Sequence, residues 1–361
     1  MKSAFPYYRG ATGPDPKDWV KPPPVPADPD VLPRGRRDDP AGYNPGAELE
    51  AAVNAALLLG MPLVVTGRPG CGKTQLGPAV AHALGWLHLR FDTKSTSIAR
   101  DIFYDYDMVG RFREAQIEGQ AADPLDFVSY RALGLAILLS RPHSEAAEFM
   151  PPGRPPDLSA LADDRRTAVA AAWPAQGFRT VVVIDEVDKA PRDFPNDILN
   201  EIDRFEFAVP ETGSNRRIKA ADALRPFVLF TSNSERQLPD AFLRRCAYHD
   251  IRDPDETRLK EIIEARIGDA VPGGSALSAG GVKLYASFQP GGATPLKKPP
   301  GIAELLNWLQ GLAGMGADIG QPLAAQDWRK VSQSLALLVK TRDDRTGLGY
   351  AEAEIRKLMA Q

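Results

Sequence analysis

Gly67-Arg68-Pro69-Gly70-Cys71-Gly72-Lys73-Thr74 matches the G-x-x-x-x-G-K-[ST] pattern of a phosphate-binding loop without a gap. Leu63-Val64-Val65-Thr66 before it is apolar and β-branched enough for a buried parallel strand, and Gln75 to Leu84 after it reads as a helix. Strand, glycine turn and helix is the context the motif needs. Glycines let the backbone wrap close to phosphate oxygens, and the N–H groups at the start of the helix point at the same anion. Lys73 is then the residue that neutralises β/γ-phosphate charge, Thr74 offers a hydroxyl to Mg²⁺, and Gly67 to Gln75 is the candidate nucleotide cradle.

A second run completes this chemistry. In Val181-Val182-Val183-Ile184-Asp185-Glu186, four β-branched residues predict a strand buried on both faces, with two acids at its C-terminal end. Open α/β sheets bind ligands at that end. Asp185 is the candidate Mg²⁺ acid and Glu186 the candidate base that polarises the attacking water. Phe227-Val228-Leu229-Phe230-Thr231-Ser232-Asn233 reads as another buried strand with a polar tip, which places Asn233 near the γ-phosphate.

The remaining elements surround these. A helix over Gly46 to Leu59 buries Leu49, Val53, Ala56 and Leu57, preceded by Gly42-Tyr43 at a place that could border the base. Leu87 to Phe91 and Tyr248 to Ile251 read as further strands, so five strands with helical connections predict a parallel sheet with helices on both faces. Between the second and third strands lies an insertion over 92–179. It holds helical runs at Phe127 to Leu139 and Leu158 to Trp173, separated by a Pro/Gly break over 151–156. Its aromatic stretch Phe103-Tyr104-Asp105-Tyr106 is either core packing or a loop that presents rings to a pore. A helix over Asp193 to Phe205 and a β-hairpin over 206–220, turning at Gly213 to Asn215, follow. After Asp253-Pro254 the pattern is helical only, over 255–267, 276–288, 301–313, 326–340 and 350–359.

Three domains result: an extended proline-rich arm over 1–40, a nucleotide-binding core over 41–252, and a helical lid over 253–361. The arm carries ten of the 33 prolines, with Phe5, Tyr7, Tyr8 and Trp19 as anchors if it packs on a neighbouring subunit. The 361 residues are 43% hydrophobic and 25% charged, ordinary for a soluble globular chain. A net charge of −3 leaves no electrostatic footprint for nucleic acid or an anionic membrane, although a local basic path is compatible with it. One of the two cysteines, Cys71, lies inside the phosphate loop, which argues for reduced thiols and a cytoplasmic setting. The N-terminus has no apolar targeting segment and no stretch reaches 18 apolar residues.

Taken together, the sequence resembles an AAA+ ATPase of the MoxR group over roughly 41 to 313. Gly67–Thr74 and Val181–Glu186 are shared by many nucleotide hydrolases. Pro195-Asn196-Asp197-Ile198-Leu199-Asn200-Glu201, Pro210-Glu211-Thr212-Gly213, Thr231-Ser232-Asn233 and Ala241-Phe242-Leu243-Arg244-Arg245-Cys246 point to the narrower group. The resemblance implies a core sheet in the order 5-1-4-3-2, an all-α lid, and a homo-oligomeric ring, usually of six, with ATP and Mg²⁺ at each junction. It implies that Asn233 is the sensor residue, and that Arg244 or Arg245 is the finger reaching the neighbour's γ-phosphate. It also implies that 97–107 bears a pore-facing insert. The Pro-x-x-Arg of many relatives' lids is absent here, and Lys297-Lys298-Pro299-Pro300-Gly301 stands in its place, making Lys298 the candidate basic sensor.

Such relatives remodel or activate a separate protein, commonly one with a von Willebrand factor A-type domain, whose Asp-x-Ser-x-Ser metal motif this chain lacks. A motor subunit of a nucleic-acid-directed restriction or defence complex is the alternative. The mild acidity and the missing DNA-binding and guanine-reading motifs argue against it. A nucleotide-binding switch that barely hydrolyses is a third reading, opposed by the intact Asp185-Glu186 pair.

Overall fold

The computed structural model describes residues 39–117, 123–151, 157–161, 163–173, 177–213, 217–350 and 356. The expectations placed on the proline-rich arm up to residue 38, on the hairpin turn at 214–216 and on nearly all of 351–361 lie outside these residues. Two compact units are present. One holds Pro45–Gly67 and Leu76–Asp250; the other holds the stretch ending at Asn44, the loop segment Arg68–Gln75, and Ile251–Gln361.

From the start of the first unit the chain forms α1 (Ala47–Leu59), β1 (Leu63–Gly67), α2 (Lys73–Leu84, beginning in the loop segment) and β2 (Leu87–Asp92). The insertion forms β3 (Tyr104–Tyr106), α3 (Met108–Ile117), β4 (Val128–Tyr130), α4 (Ala132–Leu139), α5 (His143–Ala146) and α6 (Asp163–Ala172). Then come β5 (Thr180–Asp185), α7 (Phe194–Asp197), α8 (Leu199–Arg204), β6 (Glu206–Ala208), β7 (Arg217–Lys219), β8 (Phe227–Ser232), α9 (Asp240–Leu243) and β9 (Ala247–Ile251).

The main sheet is ordered β2-β5-β8-β1-β9, which is 5-1-4-3-2 when its five strands are numbered along the chain. It is the expected parallel sheet flanked by helices. Phe91 pairs with Ile184, Ile184 with Phe230, and Phe230 with Val64, so β2, β5, β8 and β1 run in step to one C-terminal edge. Every residue of β5 and of β8 is buried, as both faces of a covered parallel sheet require. Successive side chains point to opposite faces. Val183 faces α2, where a Cβ on Gly77 would lie 2.0 Å from Val183 Cγ2; Val182 and Ile184 join the cluster that contains α4. Gly77 is a poor helix former, and α2 keeps it because a bare Cα allows this close approach to the sheet.

The insertion is part of the core. All eight residues of α4 are buried, including Gly134, whose Cβ would stand 1.9 Å from Phe103 O. That oxygen accepts from Arg131 N at 2.9 Å, so α4 starts in direct backbone contact with the aromatic stretch. Phe103 stacks on Phe207 of β6 at 5.0 Å between centroids, and Tyr104 and Tyr130 each lie 6.1 Å from the same ring. Phe103, Tyr104 and Tyr106 are therefore packing residues rather than rings presented to a pore. Among the described residues of this region, the large apolar side chains that are exposed are Ile98, Met108, Val109 and Phe112.

Several local expectations differ from the structure. The helical run over 127–139 begins only at Ala132, because Val128–Tyr130 finds a strand partner in Tyr104–Tyr106. The run over 158–173 is helical from Asp163. The helix over 193–205 is broken at Ile198 and ends where Phe205 takes φ 49°.

In the second unit, α10 (Glu256–Ile267), α11 (Ala276–Phe288), α12 (Ile302–Gly314) and α13 (Trp328–Ser334) share a core that includes Phe288, Leu305 and Trp308, and α14 (Arg342–Tyr350) follows. Trp308 Nε1 donates to Ser334 Oγ at 2.8 Å, joining α12 to α13. The helix expected over 326–340 gives way to a 3-10 turn at Leu335–Leu337, and a further helix begins at Arg342. Among the described residues, no helix is long and apolar enough to cross a membrane.

Replacing Gly134 with Ala drives a methyl into the Phe103 carbonyl. The expected outcome is a loss of about 1–3 kcal/mol in urea-unfolding stability, with the sheet's secondary structure retained by circular dichroism.

Candidate nucleotide-binding site

The phosphate loop is built by glycine geometry. Gly70 and Gly72 have φ of 79° and 96°, conformations that residues with a Cβ rarely adopt. A Cβ on Gly72 would also stand 3.2 Å from Cε2 of Tyr43, whose buried ring lies under the Arg266 guanidinium at 5.5 Å. Lys73 is buried at 6% exposure and opens α2, with Nζ donating to Arg68 O at 2.9 Å. Arg68 reaches outward, pairing with Asp253 at 2.8 Å and donating to Gln289 at 2.7 Å. Burial pushes the Cys71 thiol up, with Lys73 opposing.

The acids stand at the C-terminal edge of the sheet. Asp185 is 4% exposed and accepts a short hydrogen bond from Thr231 Oγ1. The same hydroxyl oxygen accepts from Glu186 N at 2.9 Å, so Thr231 joins β8 to both acids at once. Glu186 takes the left-handed φ of 54°, which turns the chain off the strand just where the carboxylate must project. Its Oε1 accepts from Asn233 Nδ2 at 3.0 Å, and its Oε2 pairs with Lys189. Lys189 first, and Asn233 after it, hold the Glu186 carboxyl below its usual range. Buried Asp188 accepts from Asn233 N at 3.3 Å and Glu235 N at 2.9 Å, fixing the loop that carries Asn233.

The structure thus brings Asp185, Glu186 and Asn233 together, each from the strand end expected of it. Asp185 faces a cation already: Arg90 Nη2 lies 2.7 Å from its Oδ2. Both Asp185 oxygens therefore have a partner, Oδ1 the Thr231 hydroxyl and Oδ2 the Arg90 guanidinium. Among the described residues no cluster of three or more His, Cys, Asp or Glu could hold a metal without a ligand's help.

Arg244 and Arg245 follow α9, and both are exposed. Arg245 Nε lies 3.4 Å from Asp203, whereas Arg244 has no ion pair among the described residues. Lys298 is exposed, and its backbone N–H is held by Asp344 Oδ2 at 3.1 Å. Gly301 and Glu304 approach the loop: a Cβ on Gly301 would lie 2.6 Å from Pro69 O, and one on Gly70 3.3 Å from Glu304 Oε2.

Sequence reading assigned no chemistry to Arg90, Asp188, Lys189 or Thr231. Asp188 and Lys189 leave a local trace, each three residues beyond the acid it serves beside. Arg90 and Thr231 meet Asp185 through sheet register, from the strands on either side of β5.

No protein-family model matches the sequence, and no curated protein matches it. Among solved structures, the chain is similar to a point mutant of Thermotoga maritima RuvB, at 15% identity, over 86% of this chain and 76% of that one, with a TM-score of 0.43.

Thr231→Val removes the hydroxyl shared by Asp185 and Glu186 while keeping β-branching and volume. The expected cost is on the order of 1–3 kcal/mol, because buried polar groups lose their partner. Denaturant titration reads it, and an unchanged midpoint would show that the hydroxyl does not hold the two strand ends.

Proposed function

We propose that this chain is a MoxR-like AAA+ ATPase that hydrolyses ATP at the junctions of a homo-oligomeric ring to remodel or activate a separate protein. One observation carries the reading: Asn233 and the Asp185-Glu186 pair meet at the ends of adjacent strands, in the sheet whose β1 leads into the phosphate loop. Holding an ionised carboxylate against an amide at that edge is what a water-activating site needs.

In this reading the loop N–H groups and Lys73 hold the β- and γ-phosphates. Thr74 and Asp185 would each offer an oxygen to Mg²⁺, which when bound would neutralise phosphate charge. Glu186 orients the attacking water and accepts its proton, and Asn233 fixes the angle of the carboxylate. A water that approaches Oε2 would compete there with Lys189. Arg244, exposed and without an ion pair among the described residues, is better suited than Arg245 to reach a neighbouring subunit's γ-phosphate. A fixed guanidinium there is worth roughly 10³-fold or more in rate.

Mixing variants tests the junction. Arg244→Ala and Glu186→Gln should each hydrolyse ATP poorly alone. An equimolar mixture should regain activity, because some junctions then pair an intact arginine with an intact glutamate. Mass photometry of Glu186→Gln with ATP·Mg²⁺ should show rings of about six subunits. A mixture as inactive as its components, or a persistent monomer, would refute the ring reading.

The pH profile tests Lys189. Because Lys189 lowers the Glu186 pKa, Lys189→Met should raise it toward the ordinary carboxylate value. The acid limb of ATP hydrolysis should then move to higher pH, since the base must be ionised. An acid limb that stays in place would show that Lys189 has no hold on the base.

A further inference from the structure

The start of α12 lies against the phosphate loop, and it brings a carboxylate with it. A Cβ on Gly301 would stand 2.6 Å from Pro69 O and 3.4 Å from Gly70 Cα, so the two backbones touch. A Cβ on Gly70 would lie 3.3 Å from Glu304 Oε2 and 3.7 Å from Ala303 Cβ. The same Oε2 accepts from Gly301 N at 3.1 Å, which fixes the carboxylate on the loop side of the helix. The contact has a second strut. Arg68 donates to Gln289 Oε1, and Gln289 Nε2 donates to Pro300 O at 3.1 Å, immediately before Gly301.

The charges here are unusual for a loop meant to hold phosphates. Arg68 is committed to Asp253 at 2.8 Å, so its charge is matched. Lys298, the nearby basic residue the sequence suggested, is exposed with its backbone tied to Asp344. Lys73 is the cation the loop brings to phosphate, and Glu304 places a negative charge beside the same glycine turn. A carboxylate beside a turn that binds phosphate opposes the bound anion, and does so more strongly with each added phosphate charge.

We propose that Glu304 is a specificity-determining residue that sets how strongly the phosphate loop distinguishes nucleoside triphosphate from nucleoside diphosphate. The inference rests on the nucleotide reading of the loop. Glu304 weakens binding of the more highly charged ligand, which keeps the triphosphate from binding too tightly and makes its hold depend on where α12 sits. Neutralising Glu304 therefore tightens triphosphate more than diphosphate.

The experiment is a fluorescence titration of the full chain with N-methylanthraniloyl ATP and ADP, each with Mg²⁺, for wild type, Glu304→Gln, Glu304→Ala and Lys73→Ala. Gln retains an acceptor for Gly301 N–H, so the capping bond survives while the charge goes. The expected result is a triphosphate affinity about tenfold tighter in Glu304→Gln, with a smaller gain for diphosphate. The difference between the variants should shrink as ionic strength rises from about 0.05 to 0.5 M, because the effect is electrostatic. A residue that only caps α12 would change the thermal midpoint in Glu304→Ala and alter neither the triphosphate-to-diphosphate ratio nor its salt dependence. Wild type and Glu304→Gln with the same ratio, while Lys73→Ala loses binding, would overturn this proposal and leave the nucleotide site standing. Wild type that binds neither ligand would overturn both.

Discussion

One hydroxyl ties the acidic edge of the sheet together. Thr231 stands near the end of β8, donates to Asp185 and accepts from the backbone N–H of Glu186. Its position depends on β5 and β8 running in register, Val183 beside Leu229 and Ile184 beside Phe230. Because both strands are wholly buried, a slip of one residue would turn every side chain to the wrong face. Sheet packing thus fixes the place of the acids far more tightly than any contact among the acids themselves.

Around that edge the two strand-end acids each have a cation. Asp185 has Arg90 and Glu186 has Lys189, while in the hairpin Glu211 has Arg100 at 3.0 Å along with the Tyr104 hydroxyl at 2.8 Å. In the proposed reaction the first two pairs are resting partners. Mg²⁺ or a reacting water would compete with the guanidinium or ammonium for the same carboxylate oxygen. The cation of each pair is open to solvent, which weakens its hold and lets it exchange. The Glu211 contacts differ in kind: they tie the 206–219 hairpin to the insertion, and the proposed reaction gives them no reason to open. The same acid–base chemistry thus serves two ends, and what separates them is whether a ligand competes for the carboxylate.

The insertion illustrates how close backbone approach shapes a fold. Gly134 lets α4 begin against the Phe103 carbonyl, and Gly77 lets α2 lie down on Val183. Both glycines sit inside helices, where they cost roughly 1 kcal/mol each relative to alanine. That cost is offset by burying a wholly apolar α4 and the valines of β5, at about 25 cal/mol per Å² of surface removed from water.

The sequence by itself determined the parts whose chemistry is contiguous. The phosphate loop, the buried strand ending in Asp185-Glu186 and the polar tip at Asn233 are local patterns, and the five strands followed from apolar runs. The strand order came with the resemblance, and the sheet has it. What the tertiary structure alone decided are pairings between distant segments. Val128–Tyr130 is a strand because Tyr104–Tyr106 lies beside it, against a helical periodicity that continues without a break from 127 to 139. Arg244 and Arg245 are equal in the sequence and differ in the fold, because Asp203 pairs with Arg245. Lys298 is the basic candidate that the lid sequence offers, and only the fold shows that Asp344 holds its backbone and that the start of α12 lays Glu304 beside the glycine turn. Periodicity and motif spacing record which face of an element is apolar. They carry no information about which neighbour will cover that face, and the neighbour is what assigns a side chain its work.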